Sequence, residues 1–451
     1  MKHSRHLLLI TLLATALALT GAASVLTHSH NSSTLPSGFN VSNDAESTAL
    51  YCTGLGGSRG PLAGHVVFLN TTGTARTLSV QVVSEAGRQT TTNLHLPAHG
   101  RQSLAPDKLV KGSAFAVAAQ VDGGGVVAQE LTSGPSAVAA CTSSAVTNWF
   151  GTGFDTRVGS SAALNIYNPT ATPAVLNVTC FTPTGFSAPA SFQGLSVGPH
   201  RDVSLNLAPQ IVDTANFGVE VSVVRGSIEV VGDQTSGAVA SLNVGSTRAS
   251  TSSWFPLVTT ARGAVAQVRV ANPSQKRANV TLKVSLGHYL IAPQSVTVAA
   301  HSSASFTITP NSAIPAAGDA TVALTSTVAV VAALATGTDR GVALSAAQSP
   351  SSEFLVADVT GQGFKSGTVT NSSSRTITVR FTTLNGASLP VTTSVELPAH
   401  STRALTRLEP WTSTRSQRML FVDTSKPSLI VTGTLPSSPA GVTVVAALNG
   451  R

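Results

Sequence analysis

Four histidines, His99, His200, His301 and His400, stand 99 to 101 residues apart along the chain. Imidazole is both a general acid–base group and the commonest metal ligand, so a histidine that keeps a period is a candidate for either chemistry. The settings repeat as well: "LPAHG" occupies 96–100 and "LPAHS" occupies 397–401. A zinc-type site needs several ligands within about 2 Å of one ion. Four copies on four separate domains converge only if the domains close into a ring. No Cys, Asp or Glu recurs beside them. The pattern therefore predicts a corner between two strands, the ring capping backbone groups or lying on the surface.

Other residue types with chemistry are few. "GGSRG" at 56–60 matches the G-x-S-x-G nucleophile elbow through Ser58, but that motif works on a strand-to-helix turn, and no helix pattern follows. The closest acidic pair, Asp44 and Glu46, falls in a polar stretch. No two carboxylates recur at repeat spacing, so glycoside hydrolysis has no visible pair. His28 and His30 share one polar segment, a poor metal site. Zinc spacings, a P-loop and a dinucleotide fingerprint do not occur. No catalytic residue, metal ligand or cofactor is expected. Trp411, in "LEPWTS", stands outside the periodic register and is the one aromatic marked as a possible ligand contact.

The three cysteines have different prospects. Cys52 opens the first repeat and Cys141 closes it, and the first and last strands of a sandwich often run side by side, so a disulfide is expected. It would close a loop of about 90 residues and stabilise by roughly 4–5 kcal/mol in the chain-entropy model. Cys180 takes a register position held by Val82 and Val284 in neighbouring repeats. It reads as a small buried hydrophobe.

The elements that carry these residues are strands. The 451 residues are 42% hydrophobic, 5% aromatic and 10% charged, against about 25% charged in an average protein. Small and β-branched residues fill the gap, which favours sheet. The net charge of +8 is spread without a Lys/Arg block, which argues against nucleic-acid binding. "MKHSRH" followed by the apolar run 7–19 and the small residues "TGAAS" has the form of a signal peptide cut after Ala23. The uncharged run 7–26 is also long enough to act as a membrane anchor. Both readings export the chain and allow a disulfide. Residues 27–47 read as a polar tether.

Several landmarks keep the histidine period. An aromatic residue opens each copy: Tyr51, Trp149, Trp254, Phe354. An asparagine turn follows at Asn70, Asn168, Asn272 and Asn371, then a glycine turn at Gly87, Gly185, Gly287 and Gly386. After each histidine comes an apolar residue, Leu104, Leu205, Phe306 or Leu405. After each asparagine, Leu78/Val80/Val82, Leu176/Val178/Cys180, Val280/Leu282/Val284 and Val379/Phe381/Thr383 alternate with largely polar residues. Period-two alternation predicts a half-buried strand. Late in the first two copies, "AFAVAAQV-DGGG-VVAQEL" and "FGVEVSVV-RGS-IEVVGDQ" predict hairpins. In the third, the apolar run 322–334 predicts two buried strands. With about seven short strands per hundred residues and no helix, the fold expected is all-β: four tandem immunoglobulin-like sandwiches at 48–147, 148–252, 253–352 and 353–451. A β-propeller is the alternative. Trp149 and Trp254 are expected in core or inter-domain packing.

The stretches "NWFGTGFDTRVGSSAALNIYNPT", "SWFPLVTTARGAVAQVRVANPS" and "ALYCTGL" resemble an exported actinobacterial protein family of unknown function, often encoded near cell-envelope glycosyltransferases. The resemblance implies a cell-envelope setting and carries no role to any residue. The function expected is a non-enzymatic, extracellular or envelope-anchored β scaffold whose partner is an envelope protein or polysaccharide, with no nucleic acid and with the membrane touched only through the N-terminal segment. A glycan-binding module is the first alternative and a serine hydrolase at Ser58 the second.

Overall fold

The computed structural model describes residues 47–57, 62–132, 137–237, 239–260, 265–286, 289–308, 314, 319–338, 341–357, 366–384, 391–405, 419–434 and 447–449. The expected signal or anchor segment, 1–26, and nearly all of the tether lie outside them. The described residues form seven antiparallel sheets and two single turns of 3-10 helix.

The first copy shows the plan. Its strands are β1 (Ser47–Gly56), β2 (Gly64–Asn70), β3 (Arg76–Ser84), β4 (Gln89–Leu96), β5 (Arg101–Leu104), β6 (Ala114–Asp122), β7 (Val126–Thr132) and β8 (Val138–Ala140). One sheet has the order β1-β6-β3-β4 and the other β5-β2-β7-β8. Between them lies one core that contains Cys52, Val66, Phe68, Leu78, Val80, Val82, Phe115 and Val117. The alternating residues of β3 thus point inward, as the period-two pattern requires. Sandwich layering is as expected. The terminal strands are exchanged relative to the constant-type immunoglobulin order, in which the first strand joins the sheet of the second. Here the first strand pairs with the sixth, and the seventh with the second.

The second copy follows the same plan with β9 (Asn148–Phe154), β10 (Ser160–Asn168), β11 (Ala174–Thr182), β12 (Gly185–Ser187), β13 (Leu195–Val197), β14 (Arg201–Asn206), β15 (Phe217–Arg225), β16 (Glu229–Ser236) and β17 (Val239–Asn243). Its sheets run β12-β11-β15-β9 and β14-β10-β16-β17. Three more cores, around Leu164, Leu176 and Val178, around Val280, Leu282 and Val284, and around Val379 and Phe381, lie in the second, third and fourth copies.

Three local expectations are corrected. The late pairs of strands are not hairpins: β6 and β7, like β15 and β16, belong to different sheets. Their glycine turns carry the chain from one layer to the other. In the third copy that crossing has no turn, and the apolar run forms one strand, Asp319–Thr338, rather than two. Its first half pairs with Ser250–Thr259 and Ala278–Leu286, its second half with Val265–Asn272 and Gly341–Ala346. Finally, Trp149 and Trp254 do not occupy one register. Tyr51 pairs with Thr142, Phe150 with Ser246 and Trp254 with Gln348 as the chain returns to the first strand of each copy. Trp149 is one residue earlier, so it faces the opposite side of its strand, buried in the core with its indole N–H donated to Val244 O at 2.8 Å. Trp254 is only half-buried.

Neighbouring copies pack face to face. The outer face of β14-β10-β16 covers the outer face of β1-β6-β3 through Tyr167, Tyr51, Val83, Ala116 and Ala118. Phe181, Ala271 and Val331 join the second copy to the third. Gly218 lies so close to Ala271 that a Cβ on it would stand 2.3 Å from the alanine Cβ. The strand Ser250–Thr259 of the third copy lies against Ser366–Asn371 and Leu429–Thr434 of the fourth. Val67, Leu69, Val127 and Leu131 of the first copy share a core with Leu355, Leu384 and Met419 of the fourth. The contacts therefore run in a closed circuit.

Candidate functional site

The periodic asparagine and histidine are two ends of one device. Asn70, Asn168, Asn272 and Asn371 end the second strand of their copies and are fully buried. The Asn70 Oδ1 accepts both the backbone N–H and the hydroxyl of Thr72, at 2.9 and 2.7 Å. Its Nδ2 donates to Thr74 O at 2.7 Å and reaches across the sandwich to Leu96 O at 3.5 Å and Pro97 O at 2.9 Å. The other three asparagines repeat this set, the cross-layer acceptors being Val197/Gly198, Val298/Ala299 and Leu397/Pro398.

The histidine closes the turn so held. His99, His200, His301 and His400 have φ of 48°, 49°, 50° and 51°. This left-handed region is uncommon for a side chain with a Cβ, and histidine is among the residues enriched there. The backbone N–H of His99, His301 and His400 returns to Thr72 O, Ser274 O and Ser373 O at 3.0, 3.2 and 3.1 Å. The corner is thus bonded by the main chain of the histidine, and not by its ring as one expected option had it. The rings of His200 and His400 are exposed. That of His301 lies at the contact of the second and third copies, stacked 6.3 Å from Phe181 and tilted against Phe186 at 5.7 Å. Among the described residues no three His, Cys, Asp or Glu side chains meet closely enough to hold a metal ion. Asn70 and Asn371 also head an N-x-[ST] pattern, a glycosylation acceptor when exposed, whereas Pro169 and Pro273 break it at Asn168 and Asn272. With Nδ2 buried on three carbonyls, these positions present no acceptor.

Cys52 and Cys141 are bridged, with Cα atoms 4.6 Å apart. Next to the bridge, Tyr51 and Thr142 exchange both backbone hydrogen bonds, at 2.8 and 2.9 Å. Cys180 is free and buried, and burial pushes its thiol up to about 12. Ser58 and Trp411 lie outside the described residues.

The least expected feature is acidic. Asp202, Tyr167 and Glu229 stand side by side across β14, β10 and β16, on the face that packs against the first copy, and all three are buried. Thr53 of β1 donates its hydroxyl to Asp202 Oδ1 at 2.9 Å, and Thr142 donates to Glu229 Oε2 at 2.5 Å. Glu130 of β7 is also buried. Asp202 Oδ2, Glu130 Oε2 and the Tyr167 hydroxyl make no hydrogen bond. Burial pushes Asp202 up to about 7 and Glu229 up to about 8, the threonine bonds opposing. Glu130 is raised well above the usual carboxylate range by burial and by the nearby charges of Glu229 and Asp202. Further along β16, Asp233 is pushed up to about 6 by burial, against the bond from Asn165 Nδ2 at 2.7 Å. The group does not follow the repeat spacing, because it occurs at one joint only. The legible signal was an acid inside an apolar strand, as in "SIEVV" and "VVAQEL". A shallow groove between the second and third copies, lined by Phe150, Asn243, Arg248, Val330 and Gln348 among others, gathers no titratable cluster.

Stacked antiparallel layers, asparagine-clamped corners and sealed acidic groups define an all-β protein whose recurring polar side chains serve its own backbone. The chain belongs to a family of unknown function (DUF5719), whose profile matches residues 116–408. No curated protein matches it. A crystal structure of a tetra-tandem repeat in the extending region of a large adhesion protein is 13% identical over 92% of this chain and 98% of that one, with a TM-score of 0.12.

Proposed function

We propose that the protein is an exported, non-enzymatic scaffold of the cell envelope, built of four sandwich units at 48–147, 148–252, 253–352 and 353–451, that presents a fixed β surface to an envelope protein or polysaccharide. The observation that carries this reading is the use made of the recurring polar residues. Each asparagine spends its amide on backbone groups, and each histidine serves a turn. Four cores and a circuit of face contacts leave the units little freedom to bend. The Cys52–Cys141 bridge is consistent with an oxidising compartment, and membership of a family of unknown function is compatible with a structural role.

Cell fractionation followed by mass measurement of the mature N-terminus tests export. Recovery with the envelope, and crosslinking there to a protein or polysaccharide by a membrane-impermeant reagent, is the expected result. An unprocessed chain in the cytosol would overturn the reading. Covalent labelling at Ser58 by a serine-directed probe would overturn its non-enzymatic part.

A further inference from the structure

We propose that the joint between the first and second copies is closed by protons: Asp202, Glu229 and Glu130 are carboxylic acids when the joint is packed, and their ionisation loosens it. The geometry stands first. Two carboxyl groups of the second copy are covered by the first, and each is met by a threonine hydroxyl of that copy, Thr53 or Thr142. One hydroxyl bond on Glu229, and one hydroxyl bond and the Val203 backbone N–H on Asp202, do not replace the water that an ionised group loses on burial, and an uncompensated buried charge is among the costliest things a fold can hold. Asp202 Oδ2 and Glu130 Oε2 have no partner at all.

The groups around them supply no compensating charge. From β1 come Tyr51 and Thr53, from the return segment Thr142, and from β7 Glu130. From the β3–β4 turn comes Glu85, whose charge further disfavours ionisation of Asp202 and whose own oxygens accept the backbone N–H groups of Ser113 and Ala114. From β10 comes Tyr167, pushed up to about 12 chiefly by burial, and from β16 Asp233. Arg201, beside Asp202 in β14, directs its guanidinium onto Gly87 at the far side of that turn. The charges that reach Glu130 and Asp202 are therefore of like sign. Neutral, the group tolerates a dry joint. Ionised, it demands water and pushes the two sheets apart.

The joint is read locally by amide exchange. The exchange of Tyr51 and Thr142, divided at each pH by that of Val268 and Val270 in the third copy, cancels the intrinsic pH dependence. Between about pH 6 and about pH 9 this ratio is expected to rise on the order of tenfold or more in the wild-type chain. It should stay flat in the variant Glu130→Gln/Asp202→Asn/Glu229→Gln. A flat ratio in the wild type, or an equal rise in the variant, overturns the proposal. Should the variant fail to fold, infrared spectra of the wild-type chain decide. A protonated-carboxyl band present at about pH 6 and lost by about pH 9 is expected, and its absence at the lower pH overturns the proposal.

Discussion

Asn70 and His99 hold one turn from opposite sides. The asparagine fixes Pro97 O through Nδ2 and Thr72 through Oδ1, and His99 N–H bonds Thr72 O. The asparagine binds the third residue of its own turn and, through it, receives the histidine that comes 29 positions later. This explains why two residue types far apart in sequence keep the same period.

Asn371→Ala removes a fully buried side chain and its bonds to the carbonyls of Arg375, Leu397 and Pro398, of which the first keeps the Ser373 hydroxyl and the last keeps Ser401. Loss of the bond to the buried Leu397 carbonyl costs about 1–3 kcal/mol, so the variant should lose about that much. Chemical denaturation followed by circular dichroism measures it. A loss no larger than that of an exposed-site control would show the clamp to be dispensable.

At the histidine the demand is on φ. His400 has φ of 51° and an exposed ring. His400→Gly should leave the denaturation midpoint unchanged or slightly raised. His400→Val should lower stability by about 1–2 kcal/mol, because a β-branched residue resists the left-handed region. Equal effects of both substitutions would return the ring to consideration.

Replacing Cys52 and Cys141 together by alanine should destabilise the first copy by about 4–5 kcal/mol, the chain-entropy cost of a loop whose ends are 89 positions apart. Unfolding of the wild-type chain with and without reductant should show the same difference. Exchange protection in the third copy should be little changed.

Gly218→Ala tests the second contact of the circuit. Gly218 has ordinary φ, so the substitution acts through space alone, against the Ala271 Cβ. Overpacking of this kind costs about 1–3 kcal/mol. Ala271→Gly in the same chain should recover most of it, and a double-mutant cycle without coupling would show that the two sheets do not meet there.

Stability should peak between acid and neutral pH. Burial raises Asp155, but bonds from the Arg157 guanidinium and backbone outweigh it and hold the carboxyl below its usual value. A depressed carboxylate contributes stability that is lost as pH falls through its folded value. Asp233, pushed up to about 6, acts in the opposite sense. Its contribution is complete at acid pH and is lost as pH rises through about 6. Thermal unfolding from about pH 3 to about pH 8 should show both flanks. Asp233→Asn should make the upper one shallower, the remainder belonging to Asp202 and Glu229, and leave the lower one in place.

Particular residues show how far the sequence could be read. Val80 and Val82 alternate with Ser79 and Gln81 because a strand with one covered face needs them to, and the structure buries the apolar pair. The Cys52–Cys141 pairing was legible because both cysteines bound one copy of the period. The hairpin expected at 114–131 was not a hairpin. A glycine turn between two strands fits either a return within one sheet or a step to the next, and local chemistry does not distinguish them. Trp149 and Trp254 share a spacing in the string, where an offset of one residue is invisible, yet that offset reverses the face a side chain occupies.

The sequence by itself determined the all-β class, the inward faces of its alternating strands and the covalent bridge. These follow from local backbone preference and from which side chains shun water. Which sheet each strand joins, the closure of the fourth copy onto the first, and the enclosure of Asp202, Glu229 and Glu130 were decided only by the tertiary structure. Those depend on which surfaces meet. An acidic residue in a strand is ordinary on a solvated face and becomes an energetic liability only when another sheet covers it.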